Sequence, residues 1–283
     1  MKVKLIASDL DGTIVDKDYR ISNRNFKAFE KIYKSKIPFV ICTGKSYAVS
    51  KKTCKQFNAS YGIFGNGTQI IDLVNEKELW KKVLTQQDLL FVVTMAKRLG
   101  FHVHLYTEKE IVTENLEYMD LRNYIIKNKE ANDYLKFTRV NDILSYIEKN
   151  NPCVYSAIIS SENRSLFNFQ KMLTINKDID CTLIRKRGQY RDKIIDKDYE
   201  YINVTPININ KNEALTFLEN YLNIKSENTL AIGDNINDLE MVREAGIGVA
   251  VNESLDNLKS VATYVTQATT SDGAFAEAID KYI

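Results

Sequence analysis

The chain has 283 residues, of which 44% are hydrophobic and 27% charged, with three prolines and eleven glycines. That balance excludes a disordered, collagen-like or linker-dominated polypeptide, and the length suits about two domains with real cores. Thirty-nine Lys and Arg stand against 37 Asp and Glu, a formal charge of +2. Nucleic-acid binders carry a basic excess, so no nucleic-acid partner is expected, and any charged ligand must be met by local groups.

Cys42, Cys54, Cys153 and Cys181 lie far apart and form no CxxC pair, which points to reduced thiols in a reducing compartment. The N-terminal run meets Asp9 too soon for the apolar centre of a signal peptide. The longest nearly apolar stretch, residues 89–96, falls far short of the roughly 18 residues a membrane span needs. A soluble, cytoplasmic protein with no membrane partner is expected.

In chain order, residues 4–8 form a short apolar run ending on acidic residues, the pattern of a buried strand. Ser22 is placed to N-cap a helix carrying Phe26, Phe29, Ile32 and Tyr33 on one face. Residues 38–42 read as a second strand, 46–55 as a helix and 61–64 as a third strand. Strand–helix–strand at this period implies right-handed crossovers and a parallel sheet. Thr85 opens a helix over 86–99, with Asp88 at the capping-box position and Gly100 past its end. Strands follow at 102–107 and 111–113, a helix from Glu117, a strand at 154–159, a helix at 165–173 and a strand at 181–185. Paired strands with helices between them point to a compact α+β insertion of about 110 residues. The first rhythm then returns, with strands at 199–205, 229–233 and 247–251 and helices at 211–222 and 235–245. The expected architecture is α/β. One mainly parallel sheet, built from both ends of the chain, forms a core domain of residues 1–84 and 199–283, and residues 85–198 form the inserted domain.

The strongest chemical feature is Asp9-Leu10-Asp11-Gly12-Thr13, directly after the first strand. Two carboxylates two residues apart, at the carboxyl end of a buried strand, sit where open α/β sheets bind ligands. They repel each other, and a shared divalent cation relieves the repulsion. Gly233-Asp234-Asn235-Ile236-Asn237-Asp238 lies at another strand end and opens a helix. Asp234 and Asp238 are one helical turn apart and present toward the same side. After the second strand come Thr43 and Gly44, a hydroxyl and an amide suited to a phosphate oxygen at a helix start. Lys211 begins a helix and can supply a fixed positive charge.

Taken together, these segments resemble the haloacid dehalogenase superfamily, and within it the Cof-type phosphatases. Asp9 through Thr13 is similar to the family's first motif, Thr43-Gly44 to its second, Lys211 to its third, and Gly233-Asp234 through Asn237-Asp238 to its fourth. The resemblance extends to Phe64-Gly65-Asn66-Gly67, Val249-Ala250-Val251-Asn252 and Asp272-Gly273. Thr43 follows Asp11 after about thirty residues, whereas Lys211 follows Thr43 only after about 165. A whole domain fits in the second interval, the place of the family's α+β cap, beside a Rossmann-like core.

The resemblance implies a Mg²⁺-dependent phosphatase of small phosphorylated metabolites, sugar phosphates favoured, acting through an aspartyl-phosphate. Asp9 would be the nucleophile and Asp11 the general acid and base. Mg²⁺ would be held by Asp9, the main-chain carbonyl of Asp11, and Asp234. Phosphate would be bound at Leu10, Thr43, Gly44, Lys211 and Asn237, with Asp238 orienting metal waters or Lys211. Lys45, Thr68 and Asn212 depart from the commonest family pattern without removing a catalytic atom. A phosphomutase of the same fold, or a non-catalytic phosphometabolite-binding regulator, stays open as an alternative.

Three features stand outside this set. His102 and His104 share one face of a strand, with no Cys, Asp or Glu run nearby to complete a metal site, and read as part of a partly exposed strand. Arg185, Lys186, Arg187 and Arg191 make a basic cluster that reads as a solvated turn. Trp80 is expected to pack where the two domains join.

Overall fold

The computed structural model describes residues 2–18, 20–108, 110–118, 136–161, 165–186 and 199–283. The chain divides into two compact units, Met1–Lys81 with Asn210–Ile283, and Lys82–Ile209. In chain order, the first unit supplies β1 (Leu5–Ser8), β2 (Phe39–Cys42), β3 (Tyr61–Phe64), β4 (Gln69–Asp72) and β5 (Lys77–Lys81). The second unit carries β6 (His102–Thr107), β7 (Glu110–Thr113), β8 (Lys136–Arg139), β9 (Val154–Ser161), β10 (Ile179–Lys186) and β11 (Tyr199–Pro206). The first unit is completed by β12 (Thr229–Gly233), β13 (Ile247–Ala250) and β14 (Tyr264–Val265).

The first unit is one sheet in the order β14-β13-β12-β1-β2-β3-β4-β5. Strand β1 pairs in parallel with both β12 and β2, so the two ends of the chain meet at the sheet's centre. The strands from β14 to β3 are parallel, and β4 and β5 add an antiparallel edge. Strands β1, β2, β12 and β13 are buried along their whole length. That is why they read as continuous apolar runs rather than alternating ones. Successive residues feed opposite cores. Ile6, Phe39, Ile41 and Ile232 pack with Ile32, Phe275 and Ile279 of helices Asn23–Ser35 and Ala274–Tyr282. Leu5, Ala7, Val40 and Ala231 pack with Leu215, Leu218 and Met241 on the other face.

The helix Asn23–Ser35 is capped by Ser22, whose side chain accepts from the Asn25 amide, as expected. Its buried face differs from the expected one. Asn25, Ala28 and Ile32 face inward, while Phe26 and Tyr33 are 50% and 72% exposed. Asn25 belongs inside because its amide group donates to Ile14 O and Thr270 O and accepts from Ala276 N. A polar residue at the centre of the buried stripe hides that stripe from a hydrophobicity reading. Residues 235–245, expected as one helix, form a 3₁₀ turn at Ile236–Asp238 and then the helix Leu239–Glu244. Strands β4 and β5 are not foreseen in the sequence reading. Trp80, on β5, meets Phe217 of the helix Lys211–Tyr221 with ring centroids 6.0 Å apart, inside the first unit.

The second unit is a sheet in the order β10-β11-β9-β6-β7-β8, antiparallel except for β7 beside β8. One face carries Val103, Leu105, Ile159, Ile202 and Val204, packed with Leu89, Val93, Ile147 and Phe169 from three helices. Thr85 and Asp88 form the expected capping box at the start of helix Gln86–Arg98. One assignment changes. Residues 199–205, expected in the core domain, belong to β11, which pairs with β9 and β10 in the second unit. Periodicity identifies a strand, but not the sheet it joins. Arg185 and Lys186 of the expected basic turn are the last two residues of β10, while its continuation through Arg191, and the helix expected from Glu117 beyond Tyr118, lie outside the described residues. Among those described, no helix is long and apolar enough to cross a membrane.

Candidate active site

Parallel strands bring their carboxyl ends to one edge of the first unit's sheet. Asp9 follows β1, Thr43 follows β2 and Asp234 follows β12. Ligands bind at this edge in open α/β sheets. The Asp9 amide donates to Ile232 O at 2.9 Å, which ties the first loop to the end of β12.

Lys211 organises the interior of the site. It is the first residue of helix Lys211–Tyr221, capped by Asn210, and its side chain is fully buried. Its Nζ lies 2.5 Å from Asp9 Oδ1 and 2.6 Å from Asp238 Oδ1. The other oxygen of Asp238, Oδ2, accepts from the main-chain amides of Asp234 and Asn235, each at 3.1 Å. Gly233 permits this approach, since a Cβ there would stand 2.4 Å from the Asp238 Cβ. Thr13 Oγ1 donates to Asp234 Oδ1 at 3.0 Å. Gly12 has φ +93°, and a Cβ on it would meet Asp234 Oδ2 at 2.4 Å. Glycine is therefore required at this turn for both backbone and space.

Carboxylate oxygens of Asp9, Asp234 and Asp238 lie within 4.8 Å of one another. Burial pushes the Asp9 carboxyl well above the usual range; Lys211 opposes this, while Asp238 and Asp234 add to it. Asp234 is pushed up to about 6, first by burial and then by Asp238. Burial works against the Lys211 ammonium, but Asp238 and Asp9 together hold its pKa raised. One lysine thus faces three carboxylates, leaving excess negative charge in a buried place. A further cation relieves it. Both Asp238 oxygens are already engaged, so Asp9 and Asp234 are the carboxylates available to an ion. Their hard oxygen donors fit Mg²⁺ or a similar divalent cation.

Asp11 sends its carboxylate elsewhere. That side chain is 39% exposed, and its Oδ1 accepts from Lys45 Nζ at 2.8 Å. Thr43 is buried, with its hydroxyl accepting from the Lys45 amide at 3.2 Å. Gly44 lies exposed beside Asn66. Asn237 Nδ2 donates to Asn66 Oδ1 at 2.9 Å, and the Asn66 amide donates to Thr43 O at 3.1 Å. Asn66 therefore bridges the loop after β2 and the loop after β12. Leu10 buries its side chain in the core, which leaves only its main chain to face a ligand. The structure thus brings Asp9, Lys211, Asp234 and Asp238 into one cluster and connects Thr43, Gly44 and Asn237 through Asn66. The roles of Lys45 and Asn66 are absent from the sequence reading. Asn66 offers one signal, a left-handed φ of 56° in a Gly-Asn-Gly turn, the conformation that asparagine adopts most readily among residues with a side chain.

Comparison with known proteins gives the same picture. The family model for haloacid dehalogenase-like hydrolases matches residues 6–279. The chain is 26% identical to 5-amino-6-(5-phospho-D-ribitylamino)uracil phosphatase YcsE of Bacillus subtilis, over 99% of this chain and 96% of the relative. It is also 26% identical to a phosphoglycolate phosphatase of Methanobrevibacter smithii, over the full length of both. Among solved structures, a haloacid dehalogenase-like hydrolase from Bacteroides thetaiotaomicron superposes with a TM-score of 0.84 at 25% identity, covering 100% of each chain. A match of this extent, on a chain whose first unit carries the aspartates, threonine and lysine just described, shows that the chain belongs to the Cof-type haloacid dehalogenase-like hydrolases and is a hydrolase of phosphoric monoesters.

Proposed function

We propose that the enzyme is a Mg²⁺-dependent phosphatase of small phosphorylated metabolites, sugar phosphates foremost, that works through an aspartyl-phosphate on Asp9. The observation that carries this reading is the buried Asp9–Lys211–Asp238 chain, with Asp234 against it. Lys211 holds Asp9 Oδ1, which fixes the side chain and leaves the second oxygen as nucleophile. That oxygen forms a bond to phosphorus as the phosphorus–alkoxide bond breaks, and Asp11 gives its proton to the departing alkoxide. Asp11 then takes a proton from water, which attacks phosphorus and frees Asp9 and inorganic phosphate. The Lys45 ion pair orients the Asp11 carboxylate between these steps.

Thr43, Gly44, Asn237 and the Leu10 main chain orient the phosphoryl oxygens, and Lys211 adds fixed positive charge. Asp9, the main-chain carbonyl of Asp11, and Asp234 would hold Mg²⁺, which supplies neutralising charge where an anionic carboxylate meets an anionic phosphate. Asp238 positions Lys211 rather than the ion, because both of its oxygens are engaged. The substrates for which the two relatives are named differ, a ribitylamino phosphate in one and phosphoglycolate in the other. They support a small phosphomonoester, and the first supports a polyhydroxylated one. Cys42, Cys54 and Cys181 are free thiols, which supports a reducing, cytoplasmic setting.

The test is phosphate release from p-nitrophenyl phosphate and a panel of sugar phosphates, with Mg²⁺ and with EDTA. Turnover should require the metal and fall by about 10³-fold or more in Asp9→Asn, which keeps the shape but loses the nucleophile. A folded, Mg²⁺-loaded wild type that releases no phosphate contradicts the proposal.

A further inference from the structure

Outside the loops already described, one side chain holds the backbone of the first of them. Gly12 turns with φ +93°, and its two main-chain groups meet different partners. Its amide donates to Val15 O at 2.7 Å. Its carbonyl accepts from Thr270 Oγ1 at 2.5 Å, across 258 positions of sequence. Thr270 lies between β14 and the helix Ala274–Tyr282 and is only 5% exposed. It is itself held from two sides. Its amide donates to Glu253 Oε2 at 2.9 Å, and its carbonyl accepts from Asn25 Nδ2 at 3.3 Å. Asn25 Nδ2 also donates to Ile14 O at 3.1 Å, just beyond the same turn. Thr270 is therefore a fixed point against which Gly12 is set.

Glu253 carries the connection on to Asp234. It sits in the turn that follows β13, where the Val251 amide donates to Gly233 O at 3.1 Å and the Leu255 amide to Asp234 O at 3.4 Å. In the same turn, Ser254 Oγ donates to Gly233 O at 3.4 Å. The main chain of Gly233-Asp234 is thus tied to this turn, and the turn is tied through Glu253 and Thr270 to Gly12 O. The Asp234 carboxylate closes the circuit, because Thr13 Oγ1 donates to it at 3.0 Å. Gly12 O and the Thr13 amide belong to one rigid peptide plane. Rotating that plane moves the Thr13 side chain, and with it the hydroxyl on Asp234. The Gly12 Cα also anchors the preceding peptide, which carries the Asp11 carbonyl. Thr270 thereby acts on two of the three proposed ion ligands through the Gly12 backbone.

We propose that Thr270 is a positioning residue for the metal site. Its hydroxyl fixes the Gly12–Thr13 peptide, and through it the Asp234 carboxylate and the Asp11 carbonyl. This rests on the reading of Asp9, Asp11 and Asp234 as the groups that hold Mg²⁺.

The test is calorimetric titration of the full chain with Mg²⁺, in wild type, Thr270→Val and Thr270→Ser. Valine keeps the shape and leaves Gly12 O without its donor, whereas serine keeps the hydroxyl. Thr270→Val should raise the Mg²⁺ Kd roughly tenfold, the effect of removing a group that orients a metal ligand, and Thr270→Ser should restore most of the affinity. Should Thr270→Val not fold, Glu253→Ala, at an exposed residue, gives the comparison and should weaken Mg²⁺ binding about threefold. Urea unfolding in EDTA runs beside the titration. Lower stability with an unchanged Mg²⁺ Kd means a structural role alone and overturns the proposal. Equal weakening by valine and serine overturns it too. In the phosphate-release assay, the Mg²⁺ concentration for half-maximal turnover should rise by the same factor as the Kd. If wild type binds Mg²⁺ but releases no phosphate, the phosphatase reading fails while the titration still decides the role of Thr270. Wild type that takes up no Mg²⁺ overturns both.

Discussion

Lys211 shows how one side chain can be structural and chemical together. It is fully buried and touches two carboxylates, so its removal leaves two buried negative charges without a partner. Lys211→Met should lower stability by about 3–5 kcal/mol in urea unfolding, the range for breaking a buried ion pair from one side. A loss under 1 kcal/mol would mean that the contacts with Asp9 and Asp238 are not maintained in solution. Asp234 behaves in the opposite sense. Its carboxyl is raised to about 6 in the fold from 3.8, so the folded state holds this proton more tightly than the unfolded one. Protonation favours the fold below pH 4, and that contribution is lost as pH rises through 6. In EDTA at pH 7.5, Asp234→Asn should therefore be more stable than wild type, by on the order of 2 kcal/mol. The two should converge near pH 4; equal stability at pH 7.5 would show that Asp234 is not strained by its neighbours. Gly12→Ala tests the turn between them. With φ +93° and a Cβ at 2.4 Å from Asp234, the variant should displace that carboxylate and weaken Mg²⁺ binding at least tenfold by calorimetry.

Strands were legible where burial made them uniform, and illegible where their partners decided the matter. β1, β2, β12 and β13 stand out because a strand covered on both faces is an unbroken apolar run. The Asp-Leu-Asp-Gly-Thr and Gly-Asp turns stand out because acidic pairs at strand ends are chemically unusual. By contrast, β11 reads as a strand of either unit, since pairing with β9 and β10 depends on contacts distant in sequence. The inward face of helix Asn23–Ser35 is hidden by Asn25, whose burial is offset by three hydrogen bonds. The Asp11–Lys45 pair and the Asn66 bridge join loops brought together only by the sheet. His104 is the sharpest case, because nothing in His-Val-His tells a buried imidazole from an exposed one. Its pKa falls from 6.5 to about 3 in the fold, so the unfolded chain takes up its proton first, and stability is lost as pH drops below 6.5. Between pH 6.5 and 4.5, wild type should lose about 2–3 kcal/mol that His104→Gln does not, read from urea midpoints at each pH. Parallel pH profiles would refute the burial of this ring.

Across the whole chain, the order of segments places the chemistry. Strand β1 at the start of the chain and β12 near its end are neighbours in the sheet. Their loops meet as Asp9 against Asp234, although 225 positions separate them in sequence. The second unit is inserted between those halves without interrupting the pairing, so the groups proposed for phosphoryl transfer all belong to one unit. The account rests on a covalent role for Asp9. The most direct measurement is mass spectrometry of the enzyme quenched in acid during turnover with a sugar phosphate and Mg²⁺. The account predicts a phosphoryl adduct on the peptide containing Asp9, labile to hydroxylamine and absent from Asp9→Asn. Turnover with an adduct on a different residue, or continued turnover by Asp9→Asn, would contradict it.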